Sequence, residues 1–115
     1  VGVELGKVIN PRHLRAIIQG GIVMGLGEAL TEEVTFDEAR VTSTDWSRYR
    51  IPTMADTPTI KTVEVARPGV GFGTGGEAPN ALPAPAIAAA FYDATGIVPR
   101  RVPLNPAYVT QLLKT

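Results

Sequence analysis

Residues 69–90 read GVGFGTGGEAPNALPAPAIAAA, and the rest of the chain is arranged around this stretch. Residues 69–76 contain five glycines, which permit positive φ and let a ligand approach the main chain closely. Bare N–H groups in such a loop can donate to oxyanions or oxo groups. Glu77 follows directly, and a carboxylate in a partly dry site is poised to accept a proton. The stretch predicts a glycine loop (residues 69–77) that binds a ligand through its backbone beside a general base.

Two other interpretations of the glycine loop stay open on its residues alone. Gly71, Gly73 and Gly76 fit the G-x-G-x-x-G pattern of dinucleotide-binding folds, and Asp93 lies near the expected distance of a ribose-binding acid. The prolines at 79, 83 and 85 are expected to keep the following residues non-helical, which disfavours that fold. No Gly-Lys-Ser/Thr follows, so a Walker-type phosphate loop is also disfavoured. A glycine-rich surface turn with an exposed Glu77 is the plainer alternative.

A helix is predicted to begin at Pro11 and to continue to about Ala29. Asn10 is a suitable N-cap, and proline fits the first helical position because its missing N–H costs nothing there. Four glycines in this helix should each cost roughly 1 kcal/mol relative to alanine, so a close neighbour is expected. The residues slightly favour tight helix packing over approach to a bulky cofactor. These glycines are Gly20, Gly21, Gly25 and Gly27.

The other segments predict short strands and two further helices. Alternating apolar residues indicate strands, and proline after a capping residue indicates helix starts. A segment with two nearby prolines, 45–50, is expected to be irregular. The predicted elements are an extended stretch over 1–9, a hairpin of 33–36 and 40–42, a strand over 59–66, a helix from Pro85 to a cap at Gly96, a short strand over 100–104 and a helix from Asn105-Pro106.

These elements predict a mixed α/β (α+β) fold, with small strands packed on two main helices plus a short C-terminal helix. The chain of 115 residues is 44% hydrophobic, which suffices for one modest core, so residues 1–115 are expected to form a single domain or a fragment of one. The chain starts at Val1 without a leader-like segment, and we expect it to be a piece of something longer.

Charge and composition exclude several classes of partner. Eleven basic and eleven acidic residues cancel without a block of like charge, so nucleic acid is not an expected partner. The chain has no cysteine and only His13 as a histidine, so it is not expected to ligate a metal or an iron–sulfur cluster itself. No apolar run is long enough to span a bilayer.

Two side-chain groups outside the glycine loop invite a functional interpretation. Glu28, Glu32 and Glu33 could be paired carboxylates for acid–base chemistry, but a solvated surface is the favoured interpretation. Trp46 and Tyr49 could clamp an aromatic substrate, although aromatic residues beside a hairpin more often cover a core.

The glycine loop and the helix after it resemble a known family. Gly75-Gly76-Glu77, the prolines and the Ala-Pro-Ala helix start that follow, and Asp93-Ala94-Thr95-Gly96 are similar to the molybdopterin-binding subunit of the xanthine dehydrogenase and aldehyde oxidase family. Ile9-Asn10-Pro11 followed by Gly20-Gly21 resembles the family's pterin-lining segment. Within the family, the nearest resemblance is to the β-subunits of isoquinoline 1-oxidoreductases.

The resemblance implies a C-terminal part of a larger molybdopterin-binding domain in a molybdenum hydroxylase. Such an enzyme oxidises an N-heteroaromatic or aldehyde substrate with water as the oxygen source. By resemblance, Glu77 is the catalytic base, and the residues that contact the cofactor are Gly20, Gly21, Thr74, Gly75 and Gly76.

The implied cofactor is molybdenum held by molybdopterin, with the cytosine dinucleotide form left open, and no protein side chain ligates the metal. Iron–sulfur clusters would lie on a partner chain only. The implied partners are the remainder of the subunit, the iron–sulfur subunit and a small-molecule substrate. Cytoplasm and periplasm are not distinguished by this sequence.

Two departures from the family pattern concern the metal's surroundings. Many relatives carry glutamine where this chain has Ile17, and Gln19 points about 200° away from that position on a helix. Thr74 stands where glycine or alanine is common. The alternative function is a non-catalytic docking or structural fragment of a split or degenerate subunit, whose assembly would not depend on Glu77.

Overall fold

The computed structural model describes residues 2–65, 67 and 69–114. Helix α1 spans Pro11–Leu30, and strands β1 (Phe36–Asp37) and β2 (Arg40–Val41) follow it. After a 3-10 turn at Met54–Asp56 come helices α2 (Ala78–Ala81), α3 (Pro83–Thr95) and α4 (Pro106–Leu112). The mixed class with two main helices and a short C-terminal helix is thereby confirmed.

Helix α1 begins as its sequence predicts. The Asn10 side chain accepts a hydrogen bond from His13 N at 3.0 Å, and Pro11 occupies the first turn. The helix then packs along α2 and α3. Three of its glycines lie where a side chain would collide with a neighbour: Gly21 faces Pro79, Gly25 faces Asn80 and Pro83, and Gly27 faces Glu32 and Pro52. Tight packing therefore explains these three glycines.

Helices α2 and α3 overturn the prediction that the prolines hold the chain out of a helix and that the helix starts at Pro85. Ala78–Ala81 already forms one helical turn, and α3 starts at Pro83. Proline is compatible with a first turn because the N–H it lacks would have no intrahelical acceptor. Gly96, with φ of 72°, ends α3 in the left-handed conformation, as predicted.

The dinucleotide-binding alternative is no longer disfavoured by the prolines, but it gains no support from the fold. A dinucleotide fold needs a parallel sheet. In the described ranges the structure contains only an antiparallel two-stranded hairpin and one isolated antiparallel bridge.

The predicted hairpin forms, in shortened form. Phe36 pairs with Val41 and Asp37 with Arg40, and Glu38 in the turn has φ of 41°. All four paired residues are exposed. Segment 45–50 is irregular, as expected.

The strands predicted over 59–66 and 100–104 are wrong for the residues that the structure describes. Residues 59–65 have no strand partner in the described chain, and Val63 and Val65 are 88% and 80% exposed. Ala66 of the first prediction lies outside the described residues, as does Val1 of the expected stretch 1–9. A strand requires a neighbouring strand to satisfy its backbone, and here none is in reach.

The segment 100–104 contacts the C-terminal end of α1. Leu104 N donates to Ala29 O at 2.7 Å, and Leu104 and Ala29 are buried. Tyr108 of α4 accepts a hydrogen bond from Arg100 N on its phenol oxygen at 3.0 Å, while the Arg101 guanidinium lies 4.3 Å from the ring centre. The segment 100–104 is thus joined to the end of α1 by the hydrogen bond between Leu104 and Ala29, and it does not pair with a described strand.

The apolar surface of the chain is only partly buried within it. The radius of gyration is 17.0 Å, against about 13 Å for a compact domain of this length. Large apolar side chains such as Ile9, Phe72 and Met54 are exposed. The chain is therefore more extended, and exposes more apolar surface, than a compact domain of this length.

Candidate functional site

The glycine loop is fixed to the segment that precedes α1. Lys7 N donates to Gly71 O at 2.8 Å, and Gly6 and Phe72 form an antiparallel bridge. Gly6 has φ of 74°. A methyl group built on Gly73 would lie 2.7 Å from Leu5 O, so the two backbones meet too closely for a side chain at this position.

The middle of the loop rests on two leucines. A methyl group at Gly75 would lie 3.4 Å from Leu5 Cδ1 and 3.5 Å from Leu14 Cδ1, which is ordinary contact. A cavity of about 350 Å³ opens here, lined mainly by apolar side chains that include Ile17, together with Gly73 and Gly75. The loop therefore has one supported face and one free face.

The free face offers backbone donors. The N–H groups of residues 74–77 donate no hydrogen bond to any other residue that the structure describes. Thr74 and Gly76 are exposed, and a methyl group at Gly76 would have no neighbour within 4 Å. Four successive unpaired N–H groups on an open loop fit a large ligand rich in oxygen atoms.

Glu77 stands at the end of these donors and immediately before α2. Its carbonyl accepts a hydrogen bond from Asn80 N at 2.9 Å, whereas its carboxylate does not cap the helix. The side chain is exposed. The partly dry site expected for this carboxylate is therefore not formed by the described part of this chain.

The two predicted cofactor contacts on α1, Gly20 and Gly21, differ in how closely their neighbours approach. Gly20 is open, because a methyl group added there would have no neighbouring atom within 4 Å. Gly21 is buried, and a methyl group added there would lie 2.8 Å from Pro79 Cβ. Pro79 belongs to α2, so the structure brings Gly21 together with the helix that begins after Glu77. Gln19 is exposed, and Ile17 lines the cavity beneath Gly75.

Asn80 is a site residue that the sequence interpretation missed. Its Nδ2 donates to Glu28 Oε1 at 3.1 Å, and its Oδ1 is buried without a hydrogen-bond partner among the described residues. These two residues are 52 positions apart, so no local pattern could have indicated the contact. Leu14, in contrast, lies on the apolar side that the helix periodicity predicts.

The acidic and aromatic groups near the end of α1 interact with each other. Tyr49 Oη donates to Glu32 Oε2 at 2.7 Å, and this hydrogen bond, with burial and the nearby negative charges, raises the pKa of Tyr49. Trp46 meets the Tyr49 ring edge-on, with 6.4 Å between ring centres, and is 76% exposed. Glu28 is exposed, as a solvated surface requires, whereas Glu32 is half-buried.

Side chains of the described residues provide neither a metal site nor a membrane span. In residues 2–65, 67 and 69–114, no three His, Asp or Glu side chains are grouped so that they could hold a metal ion. Within the same ranges no helix combines the length and apolar character needed to cross a bilayer. The open donors of residues 74–77 fit a ligand rich in oxygen atoms, such as an organic group that carries a metal.

Comparisons with known proteins agree on one family. A family model described as a molybdopterin cofactor-binding domain matches residues 2–58. The chain is 34% identical over 116 residues to a nicotinate dehydrogenase subunit from Pseudomonas putida, in a match that covers 98% of this chain and 10% of that protein. It is 35% identical over 109 residues to the xanthine dehydrogenase molybdenum-binding subunit of Escherichia coli O157:H7, covering 90% and 14%.

A solved structure has the same fold. The crystal structure of quinoline 2-oxidoreductase from Pseudomonas putida 86 superposes with a TM-score of 0.82 and 30% identity, over 96% of this chain and 15% of that one. The chain therefore belongs to the family of molybdopterin-binding subunits found in xanthine dehydrogenases and related molybdenum oxidoreductases. It spans between 10% and 15% of the length of these relatives.

Proposed function

We propose that this chain is the part of a molybdenum hydroxylase that presents backbone donors and a catalytic base to the cofactor. The observation that carries the proposal is the placement of Glu77 at the end of a loop segment, 74–77, whose N–H groups donate to no residue that the structure describes and which is open at Gly76. When bound, the molybdenum–molybdopterin cofactor supplies the redox chemistry that oxidises an N-heteroaromatic or aldehyde substrate, with water as the oxygen source.

The residues of the loop have distinct roles in this proposal. Thr74, Gly75 and Gly76 bind the cofactor's oxygen atoms through their backbone, because side chains there are small or absent. Gly20 offers a further open backbone surface, whereas Gly21 is buried beneath Pro79 and contributes by letting α2 pack closely on α1. Glu77 removes a proton from the oxygen nucleophile as it attacks an electron-poor carbon, which is general base catalysis.

Other protein must complete the site. Glu77 is exposed in this chain, and we propose that the remainder of the subunit covers it and excludes water. Since the chain has no cysteine, the iron–sulfur clusters that accept electrons lie on a partner subunit. The chain would form a C-terminal part of the molybdopterin-binding domain, and the cytosine dinucleotide form of the cofactor is one candidate.

The substrate class is inferred from the relatives. The similar proteins are named for nicotinate, xanthine and quinoline, all of which contain nitrogen in an aromatic ring, and another is an aldehyde oxidoreductase subunit. These names support an N-heteroaromatic or aldehyde substrate and are compatible with the isoquinoline 1-oxidoreductase branch suggested by the sequence.

Cofactor loading of the full-length subunit, isolated with its partner chains, tests the proposed binding loop. Gly76→Val should lower the molybdenum and pterin content per subunit, because it fills the open face that the cofactor would occupy. Gly71→Val is the matched control, since Gly71 lies in the same loop, has no atom within 4 Å of a built methyl group and is not a proposed contact.

Elemental mass spectrometry and pterin fluorescence report the loading of each variant. Full loading of Gly76→Val would contradict the proposed contact. Wild-type protein that folds and assembles with its partners but contains no molybdenum would favour the alternative, a non-catalytic docking or structural fragment. The exposed apolar residues of this chain are the observation that supports that second candidate.

A further inference from the structure

Helix α2 follows Glu77 directly and packs on α1, while the loop before Glu77 meets Leu14 of α1 at Gly75. Helix α2 is one turn long, Glu77 occupies its N-cap position, and the Glu77 carbonyl accepts a hydrogen bond from Asn80 N. Such a short turn has little stability of its own, because helix formation is cooperative and short helices are marginal. The position of Glu77 therefore depends on how α2 is held against α1.

Small residues on α1 let α2 approach closely. Pro79 is fully buried and lies over Gly21, and the Asn80 carbonyl lies against Gly25, where a methyl group would collide with it. Packing of this kind sets the distance between the two helices. A hydrogen bond between side chains of the two helices adds a directional contact to such packing.

One side-chain hydrogen bond joins α2 to α1. Asn80 Nδ2 donates to Glu28 Oε1 at 3.1 Å. A carboxylate only accepts hydrogen bonds, so the amide nitrogen must face Glu28. This orientation leaves Asn80 Oδ1 buried with no partner among the described residues, although a buried acceptor without a donor is unfavourable. The Asn80 amide therefore donates to Glu28 through Nδ2, while its Oδ1 accepts no hydrogen bond from a described residue.

We infer that Asn80 and Glu28 form a positioning pair for Glu77, in which their hydrogen bond helps to hold α2 against α1 and hence the place of Glu77 at the start of α2. Neither side chain is required to touch substrate or cofactor. The inference rests on the proposed role of Glu77 as the base. Catalysis is sensitive to small displacements of a reacting group, so loss of this contact should lower turnover.

Three variants of the full-length subunit in its assembled holoenzyme test the pair. Glu28→Ala and Asn80→Ala remove the hydrogen bond, and each should lower kcat on the order of ten- to a hundredfold with KM and molybdenum content unchanged. Glu28→Gln keeps an acceptor oxygen for Asn80 and should retain the wild-type kcat. Glu33→Ala, an exposed glutamate with no hydrogen bond to a described residue, is the matched control and should behave as wild type.

The double variant Glu28→Ala/Asn80→Ala should be no slower than either single variant, because the two side chains act through one contact. Wild-type kcat in both alanine variants, or equal damage from Glu28→Gln and Glu28→Ala, would overturn the inference. Glu77→Gln separates this failure from that of the proposed function. An inactive Glu77→Gln with active alanine variants refutes only the positioning pair, whereas an active Glu77→Gln refutes the base itself.

Discussion

Pro79 packs directly on the backbone of Gly21, so closely that a methyl group at Gly21 would lie 2.8 Å from Pro79 Cβ. This contact places the turn that carries Glu77 at its start onto the longest helix of the chain. In the structure Gly21 therefore has a packing role: it lets the helix that follows the proposed base lie directly on α1.

Gly21→Ala should destabilise the protein by roughly 1–3 kcal/mol, because a methyl group at this buried position must displace Pro79. Gly20→Ala is the control one residue away. It has open space around it and should instead stabilise the helix by roughly 0.5–1 kcal/mol, since alanine has the higher helix propensity. The thermal unfolding temperature of the full-length protein measures both effects. Equal shifts for the two variants would show that Gly21 is not a contact position.

Tyr49 should make stability depend on alkaline pH. Its phenol donates to Glu32, which raises the pKa of Tyr49 above the ordinary value of 10.0. A pKa that is higher in the folded state means that folding favours the neutral phenol. Its contribution is then complete below pH 10.0 and is lost as the pH rises through the raised pKa.

Tyr49→Phe should therefore lower the urea midpoint of unfolding at pH 8, and the difference from wild type should disappear above the raised pKa. Tyr92→Phe, at an exposed tyrosine whose phenol makes no hydrogen bond with a described residue, should leave the midpoint unchanged at pH 8. A Tyr49→Phe difference that stays constant across the alkaline range would mean that this phenol does not carry the effect.

Features determined by neighbouring residues could be predicted from the sequence. The start of α1 depends on Asn10 and Pro11, and the end of α3 depends on the left-handed conformation of Gly96. Both signals act within one helical turn, so no knowledge of tertiary contacts is needed. The hairpin at 36–41 is equally local.

Features determined by a distant partner could not be predicted in the same way. Alternation at Val63 and Val65 is typical of a strand, but a strand forms only where another strand accepts its hydrogen bonds. Prolines suggested a non-helical segment after the glycine loop, yet at helix starts they are well tolerated, and the contact with α1 helps to stabilise the short α2.

In the candidate site, too, local features could be predicted from the sequence, whereas contacts between distant segments could not. The glycine loop and Glu77 are adjacent in sequence, so their proximity was certain before the structure was known. The support of Gly75 by Leu5 and Leu14, and the pairing of Asn80 with Glu28, depend on the packing of segments far apart in the chain. Sequence could indicate which residues are candidates for the chemistry, but not which residues contact them from distant segments.

Turnover of the Glu77→Gln variant tests the central claim most directly. The assembled holoenzyme should be compared with Glu33→Gln, which makes the same change at an exposed glutamate outside the site, and molybdenum content should be measured in both. Loss of the carboxylate base should lower kcat on the order of a hundredfold or more while molybdenum content stays at the wild-type level. Wild-type kcat in a fully loaded Glu77→Gln enzyme would contradict the account.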